Sequence, residues 1–228
     1  KENGFSEYDR EYASRITMFD QQIKRLYDAL EKSGELENTL IIFTSDNGPW
    51  SGTHRFKKHL KHNYLTFKSS GGLKGYKRDM YEGGIRVPCF AVWQGKIKSE
   101  ETNHQATFYD VMPTLAEVAN TEIPKQTDGL SFLPELLGEQ QAKHDFLYWE
   151  IHNNQSPKGF RQATRMGKWK AIRYGESYKT ELYNLEKDLF EEVDVADEYP
   201  EIVAKANEIL KRESVRTEHY EHAGGFFK

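Results

Sequence analysis

The chain has 228 residues, of which 37% are hydrophobic and 13% aromatic, enough apolar residues to bury a core. Its formal net charge of −4 gives no general affinity for nucleic acid or for an anionic membrane, so we expect neither as a partner, and anion binding would need a local basic cluster. The longest apolar runs, 40–43 and 89–93, are far shorter than the ~20 residues that span a bilayer, and the single cysteine, Cys89, excludes an intrachain disulfide.

The first part of the chain predicts a helix followed by two strands. Apolar residues recur at alternating steps of four and three over 8–33, which indicates an amphipathic helix, and Gly34 stands where that helix would end. The run 39–44 is β-branched and apolar on both faces, which is typical of a strand covered on two sides in a parallel sheet. A second buried strand is predicted at 89–93. Helix followed by buried strand is the repeating unit of an α/β fold.

A further helix is predicted at 109–119, with Leu115 and Val118 in the core. Between the two strands, residues 51–84 are expected to form a long irregular segment.

The pattern changes near residue 143. Four short alternating runs punctuated by glycines predict an antiparallel sheet: 146–150, 161–166, 169–174 and 180–184. A closing amphipathic helix is predicted at 199–212. We therefore expect residues 1–142 to form the last part of an α/β domain and residues 143–228 a small α+β subdomain.

Two polar residues, Asp46 and Asn47, follow the first predicted strand at its carboxyl end, where open α/β sheets bind ligands. Both side chains offer oxygen, the ligand that Ca²⁺ and Mg²⁺ prefer. Asp-Asn-Gly is also a common turn after a strand, and two residues cannot supply the ~6–8 oxygens that Ca²⁺ takes. The residues therefore leave open a plain turn or a metal half-site whose other ligands lie outside this chain.

A basic segment between Ser51 and Arg78 carries no Asp or Glu and has aromatic residues among its charges. Its eight Lys and Arg residues are Arg55, Lys57, Lys58, Lys61, Lys68, Lys74, Lys77 and Arg78. Three interpretations stay open: an anion-binding mouth for a sulfated or phosphorylated substrate, a single-stranded nucleic-acid site with bases stacked on the aromatic rings, and a solvated surface loop.

Two motifs resemble those of the sulfatase family in the alkaline-phosphatase superfamily. They are TSDNGP at 44–49, after an apolar strand, and LKGYKRDMYEGGIRVP at 73–88. Shorter similarities follow at 109–115, 128–131, 165–170 and 181–185, so the resemblance covers roughly residues 8–212. It implies the C-terminal part of an alkaline-phosphatase-like α/β sandwich with a mixed sheet, carrying catalytic residues, over 1–142. Over 143–228 it implies a small C-terminal α+β subdomain with an antiparallel sheet.

The resemblance also implies roles for individual residues. Asp46 and Asn47 would bind a divalent cation, usually calcium, with magnesium as the alternative. Lys77 would lie against the sulfate as the catalytic and substrate-binding cation. His54 would reach a sugar sulfate from the basic segment, unless it is an ordinary surface histidine. Lys74 fits a bracing role as well as substrate contact.

Glu82 and Arg86 are interpreted as structural residues that brace the Gly-Gly turn.

The family's nucleophile, a formylglycine made from Cys or Ser in a Cys/Ser-x-Pro-Ser/Ala-x-Arg signature, has no counterpart here. Cys89 precedes Phe-Ala-Val and Ser156 precedes Pro-Lys. The family's paired N-terminal aspartates and its upstream lysine and histidine are also absent. We therefore expect a longer protein whose missing N-terminal portion completes the site, and an isolated chain without sulfatase activity. The family suggests a periplasmic, secreted or lysosomal location.

The function that the resemblance implies is hydrolysis of a sulfate ester, and the basic, aromatic segment favours a sulfated carbohydrate over a small aryl ester. One alternative is a phosphodiesterase or phosphonate hydrolase of the same superfamily. Another is a non-catalytic module that binds sulfated glycan through residues 51–78, and nucleic-acid binding is the third.

Overall fold

The computed structural model describes residues 4–50, 66–152, 159–175 and 179–215. Contacts group the chain into two compact units: 1–12, 45–87 and 146–228 form the first, and 13–44 and 88–145 form the second. The division into domains 1–142 and 143–228 stays a prediction.

Eleven helices and strands lie within the described ranges, not counting two short 3₁₀ turns. In chain order they are α1 (Glu7–Ser33), β1 (Ile41–Thr44), α2 (Glu82–Ile85), β2 (Cys89–Val92), α3 (Val111–Val118), α4 (Leu133–Leu136), β3 (Leu147–His152), β4 (Phe160–Met166), β5 (Trp169–Tyr174), β6 (Glu181–Asn184) and α5 (Pro200–Arg212). The mixture of helices with two sheets agrees with the predicted α/β class.

Helix α1 confirms the first predicted helix. It begins at a reciprocal cap in which the Asp9 amide donates to Ser6 Oγ and the Ser6 amide donates to Asp9 Oδ2, both at 3.1 Å. It ends at Gly34, whose φ of +77° is the left-handed conformation that glycine allows. None of the helices in the described ranges has the length and apolarity to cross a bilayer.

Strands β1 and β2 form the sheet of the second unit. They pair antiparallel, with Phe43 opposite Phe90, which agrees with the mixed sheet expected for the fold, although the residues of the first strand alone favoured a parallel sheet. Neither strand is buried on both faces: β1 is half-buried and Phe90 in β2 is 51% exposed. The apolar run reports that a strand forms here, but its direction and cover depend on residues far away in sequence.

Helix α3 confirms the predicted helix but not its predicted core. Leu115 is 47% exposed and Val118 is only half-buried, whereas Thr114 is completely buried. The Thr114 hydroxyl donates to the carbonyl oxygen of Asp110 and accepts from the Phe132 amide, so the helix faces the segment before α4 with its threonine side.

The four-stranded sheet of the first unit confirms the predicted antiparallel sheet, with order β3-β4-β5-β6. Alternation along each strand sends neighbours to opposite faces. Ala171 and Leu182 face α5 and pack with Ala206 and Ile209. The other face carries residues that pack against Met80 and Tyr81, in the segment before α2: Ala163, Ile172 and Tyr183. This face of the sheet therefore packs against the segment around residues 74–86.

Candidate active site

The turn that carries the predicted metal ligands, the Asp46–Pro49 turn, packs against two glycines of α2. The Gly48 amide donates to the carbonyl oxygen of Gly84 at 2.9 Å. A Cβ atom on Gly48 would lie 1.9 Å from the carbonyl oxygen of Gly83, so this approach requires glycine. Gly83 and Gly84 are buried and are called the glycine pair below.

The two predicted ligands fit a hard cation in the kind of atom that they offer. Asn47 Oδ1 is buried and has no hydrogen-bond partner, a costly state for an amide oxygen that a cation would relieve. The neighbouring Asp46 is exposed, so its carboxylate is open to a ligand. Across the described ranges no three His, Cys, Asp or Glu residues are grouped to hold a metal ion. Asp46 and Asn47 therefore fit part of a coordination shell.

Lys77 lies beside this turn. Its backbone amide donates to the carbonyl oxygen of Pro49 at 2.8 Å, although the two residues are far apart in sequence. The structure therefore brings the backbone of Lys77 to the turn that carries Asp46 and Asn47. The roles assigned to these three residues stay predictions. His54 and most of the basic segment fall in 51–65, outside the described residues.

The segment that carries Lys77 (73–79, the Lys77 loop) packs against the same glycine pair. A Cβ atom on Gly83 would meet three carbonyl oxygens of this loop at 2.5–2.7 Å, and one on Gly84 would lie 2.2 Å from the carbonyl oxygen of Asp79. The Gly83 amide donates to the carbonyl oxygen of Lys74 at 2.7 Å. The glycine pair therefore fixes both predicted functional segments by direct backbone contact.

A group of charges, the ion cluster, surrounds Glu82, which immediately precedes the glycine pair. Glu82, Lys170 and Glu191 are buried, and Arg86 is exposed. Lys170 Nζ lies 2.8 Å from Glu82 Oε1 and 3.0 Å from Glu191 Oε1. Arg86 Nε lies 2.9 Å from Glu82 Oε2, and the Glu82 amide donates to Glu191 Oε2 at 2.7 Å. The predicted bracing role of Glu82 and Arg86 agrees with these contacts.

The two carboxylates of the ion cluster differ in acidity. Burial acts to raise the pKa of Glu82, but the charges of Lys170, Arg86 and Arg165 outweigh it, and the pKa falls below its usual value. For Glu191, burial outweighs the charge of Lys170 and the hydrogen bonds from the Glu82 amide and from Lys170, so the pKa of Glu191 is raised. Glu82 is therefore the firmly ionised partner of Lys170.

The contacts of Lys74 agree with a bracing role. Its Nζ donates to the carbonyl oxygen of Glu191 at 2.9 Å and lies 3.3 Å from the Tyr183 hydroxyl. The same ammonium stands 4.1 Å from the centre of the Tyr81 ring, a cation–π distance. These contacts tie the Lys77 loop to the sheet and to the loop after β6.

Sequence reasoning missed a second clamp on the Lys77 loop. Arg161 Nη1 donates to the carbonyl oxygen of Arg78 at 2.5 Å and to Asp79 Oδ1 at 3.0 Å. Arg78 has a φ of +81°, an unusual conformation for a residue with a side chain. Its guanidinium lies 5.8 Å from the ring centre of Trp50, which directly follows the Asp46–Pro49 turn.

A local signal existed for Lys170 but not for Arg161. Lys170 stands in a strand beside Ala171 and Ile172, both completely buried, where a lysine is unexpected without a charged partner. Arg161 is the second residue of β4, a strand with an ordinary alternating pattern, and its partners lie more than 80 residues away.

Comparison with known proteins defines the class of protein. Residues 1–121 match the family described as "Sulfatase", and residues 74–217 match the family described as "N-sulphoglucosamine sulphohydrolase, C-terminal". The chain belongs to the sulfatase family.

Particular relatives cover most of this chain. Human arylsulfatase A is 34% identical over 161 residues, which is 70% of this chain and 30% of the relative. The N-acetylgalactosamine-6-O-sulfatase of Bacteroides thetaiotaomicron is 28% identical over 222 residues, which is 89% of this chain and 41% of the relative. The crystal structure of Ps i-CgsB in complex with k-i-k-neocarrahexaose superposes with a TM-score of 0.75 at 26% identity, covering 92% of this chain and 44% of that one. The chain thus spans less than half the length of each.

Proposed function

We propose that this chain is part of a longer protein, the full-length protein, that hydrolyses sulfate esters of a sulfated carbohydrate. The observation that carries the proposal is that the Asp46–Pro49 turn and the Lys77 loop pack on one glycine pair. An oxygen-rich turn and a lysine segment held side by side suit a site that binds a cation and an anion together. Membership of the sulfatase family supports this reading of the site.

Each residue has a distinct proposed task. Asp46 and Asn47 hold a divalent cation, calcium or magnesium, through their side-chain oxygens. A cation bound there supplies Lewis-acid polarisation of the sulfate oxygens. Lys77 binds the sulfate and stabilises the negative charge that develops as the ester bond breaks. The nucleophile, a formylglycine, is proposed to lie in the full-length protein outside this chain.

The carbohydrate substrate class rests on two supports. Trp50 is 42% exposed and has the Arg78 guanidinium beside it, directly next to the Asp46–Pro49 turn. An aromatic face can pack on a sugar ring while a guanidinium binds a sulfate oxygen. The second support is the names of the matched family and relatives, which refer to N-sulphoglucosamine, N-acetylgalactosamine and neocarrahexaose.

The test is hydrolysis by the full-length protein of a sulfated oligosaccharide, with a phosphodiester and 4-nitrophenyl sulfate run in parallel. We expect sulfate release from the oligosaccharide and little turnover of the phosphodiester. Faster turnover of the phosphodiester would favour a phosphodiesterase of the same superfamily. Retention on heparin without sulfate release would favour a glycan-binding module. The 228 residues alone are expected to leave 4-nitrophenyl sulfate intact.

A further inference from the structure

We propose that Lys170 and Glu191 are positioning residues for the active site, acting through Glu82 and the glycine pair. The inference rests on the proposed function and extends it to side chains that belong to the four-stranded sheet and to the loop that follows β6.

The glycine pair contacts both predicted functional segments. Gly84 accepts from the Gly48 amide at 2.9 Å, and Gly83 donates to Lys74 in the Lys77 loop at 2.7 Å. Both contacts are between backbones with no room for a Cβ atom, so no flexible side chain can absorb a displacement. A shift of the glycine pair therefore moves the predicted cation ligands and the backbone of Lys77 together.

Two side chains, those of Lys170 and Glu191, hold the glycine pair through Glu82. Glu82 is the residue before it, and both ends of Glu82 are held. Its amide donates to Glu191 Oε2 at 2.7 Å, and its carboxylate accepts from Lys170 Nζ at 2.8 Å. Glu191 also acts on the Lys77 loop, because its carbonyl oxygen accepts from Lys74 Nζ at 2.9 Å. Glu191 thus contacts the Lys77 loop directly and, through Glu82, the glycine pair on which the Asp46–Pro49 turn packs.

Lys170 is anchored by the position of its strand inside the four-stranded sheet. It lies within β5, paired with Arg165 of β4 on one side and with Tyr183 of β6 on the other. Its side chain is 0% exposed. A strand with neighbours on both sides cannot slide without breaking two ladders, so the backbone that carries the Lys170 ammonium is held in register.

Stability alone does not explain the ion cluster. A buried ammonium and its carboxylates lose their hydration, and an apolar residue of similar size often stabilises a fold equally well. Ala171 and Ile172 show that this part of β5 accepts buried apolar side chains. The directional contacts of the ion cluster are what an apolar residue cannot supply. Holding Glu82 in a fixed position is therefore the role that best explains the ion cluster.

The experiment uses the full-length protein and two variants. Lys170→Met removes the ammonium at similar length. Glu191→Ala removes the bond to the Glu82 amide, while Glu82 still neutralises Lys170, so this second variant is expected to fold even if the first does not. The control is Lys179→Met, which breaks an exposed ion pair with Asp197 (2.6 Å) in the same unit.

Calcium affinity is measured by calorimetry, together with kcat, KM and the melting temperature. We expect Lys170→Met and Glu191→Ala to raise the calcium Kd by about tenfold or more, the scale seen when groups that orient metal ligands are removed. We also expect kcat to fall with KM nearly constant, and Lys179→Met to match the wild type.

A lower melting temperature with wild-type calcium Kd and kcat in both variants would overturn the positioning role, because a purely structural residue has that signature. A wild-type protein that neither binds calcium nor releases sulfate would instead overturn the proposed function, and the inference with it.

Discussion

The backbone amide of Lys77 donates to the carbonyl oxygen of Pro49 across 2.8 Å. This hydrogen bond joins the turn that carries Asp46 and Asn47 to the loop that carries the predicted sulfate-binding lysine. Because backbone atoms make this hydrogen bond, it fixes the position of the Lys77 backbone independently of what the Lys77 side chain binds.

Replacing Lys77 by alanine in the full-length protein is expected to lower kcat by at least ~10²-fold, the loss typical of removing one electrostatic donor from an active site. The backbone bond to Pro49 survives this change, so the fold is retained. Lys211→Ala, at an exposed position near the end of α5, is the matched control. Near-normal turnover by Lys77→Ala would refute the assignment.

Gly48→Ala is expected to destabilise the protein at the upper end of the ~1–3 kcal/mol that overpacking costs, and to weaken calcium binding. The added methyl group would overlap the carbonyl oxygen of Gly83. Gly138→Ala is the comparison, since Gly138 has open space around it and only its positive φ is penalised. Urea unfolding of both variants measures the difference. Equal losses would show that the contact with Gly83 is not tight.

The acid stability of the protein is expected to depend on Glu82. Its pKa is lowered in the folded state by Lys170, Arg86 and Arg165, against the effect of burial. A carboxylate of this kind stabilises the fold above the pKa that it has when unfolded, ordinarily 4.5, and the contribution is lost as the pH falls through the folded pKa.

The measurement is the free energy of unfolding of wild type and Glu82→Gln from pH 7 down to about pH 3. The gap between the two proteins is expected to be widest near neutrality and to narrow as the pH drops below about 4.5. A gap that stays constant with pH would contradict the lowered pKa.

Trp50→Ala is expected to raise KM for a sulfated oligosaccharide by roughly 10-fold, on the scale of ~1–3 kcal/mol for a lost ring contact. KM for 4-nitrophenyl sulfate should change much less, because that substrate has no sugar to pack on the indole. The two substrates serve as each other's control in one enzyme preparation. An equal rise for both would argue against a sugar contact at Trp50.

The sequence predicted helices and strands well where the spacing of apolar residues follows one regular period, either that of a helix or that of a strand. The alternation in 161–166 and 169–174 predicted β4 and β5 to within a residue, and the spacing in 8–33 predicted α1. These patterns do not encode strand direction, so they did not predict the antiparallel pairing of β1 with β2. Leu115 was misplaced for a related reason: an apolar residue reports that a face can be buried, not that a neighbour covers it.

The candidate site was predictable only in part, and the resemblance carried most of it. The motifs at 44–49 and 73–88 named Asp46, Asn47 and Lys77, but no local pattern shows that their backbones meet on one glycine pair. The contacts of Glu82 with Lys170 and Glu191 span 88 and 109 residues. Such pairs are decided by tertiary packing, which a single sequence does not display.

The order in which the chain is synthesised gives these long spans a further consequence. The Asp46–Pro49 turn and the glycine pair leave the ribosome well before Lys170 and Glu191 exist. Until β5 and the loop after β6 have been made, Glu82 has neither of these two partners. Contacts between residues so far apart in sequence form slowly, because a long loop of chain must close first. During translation, the geometry of the site is therefore among the last features of this unit to be completed.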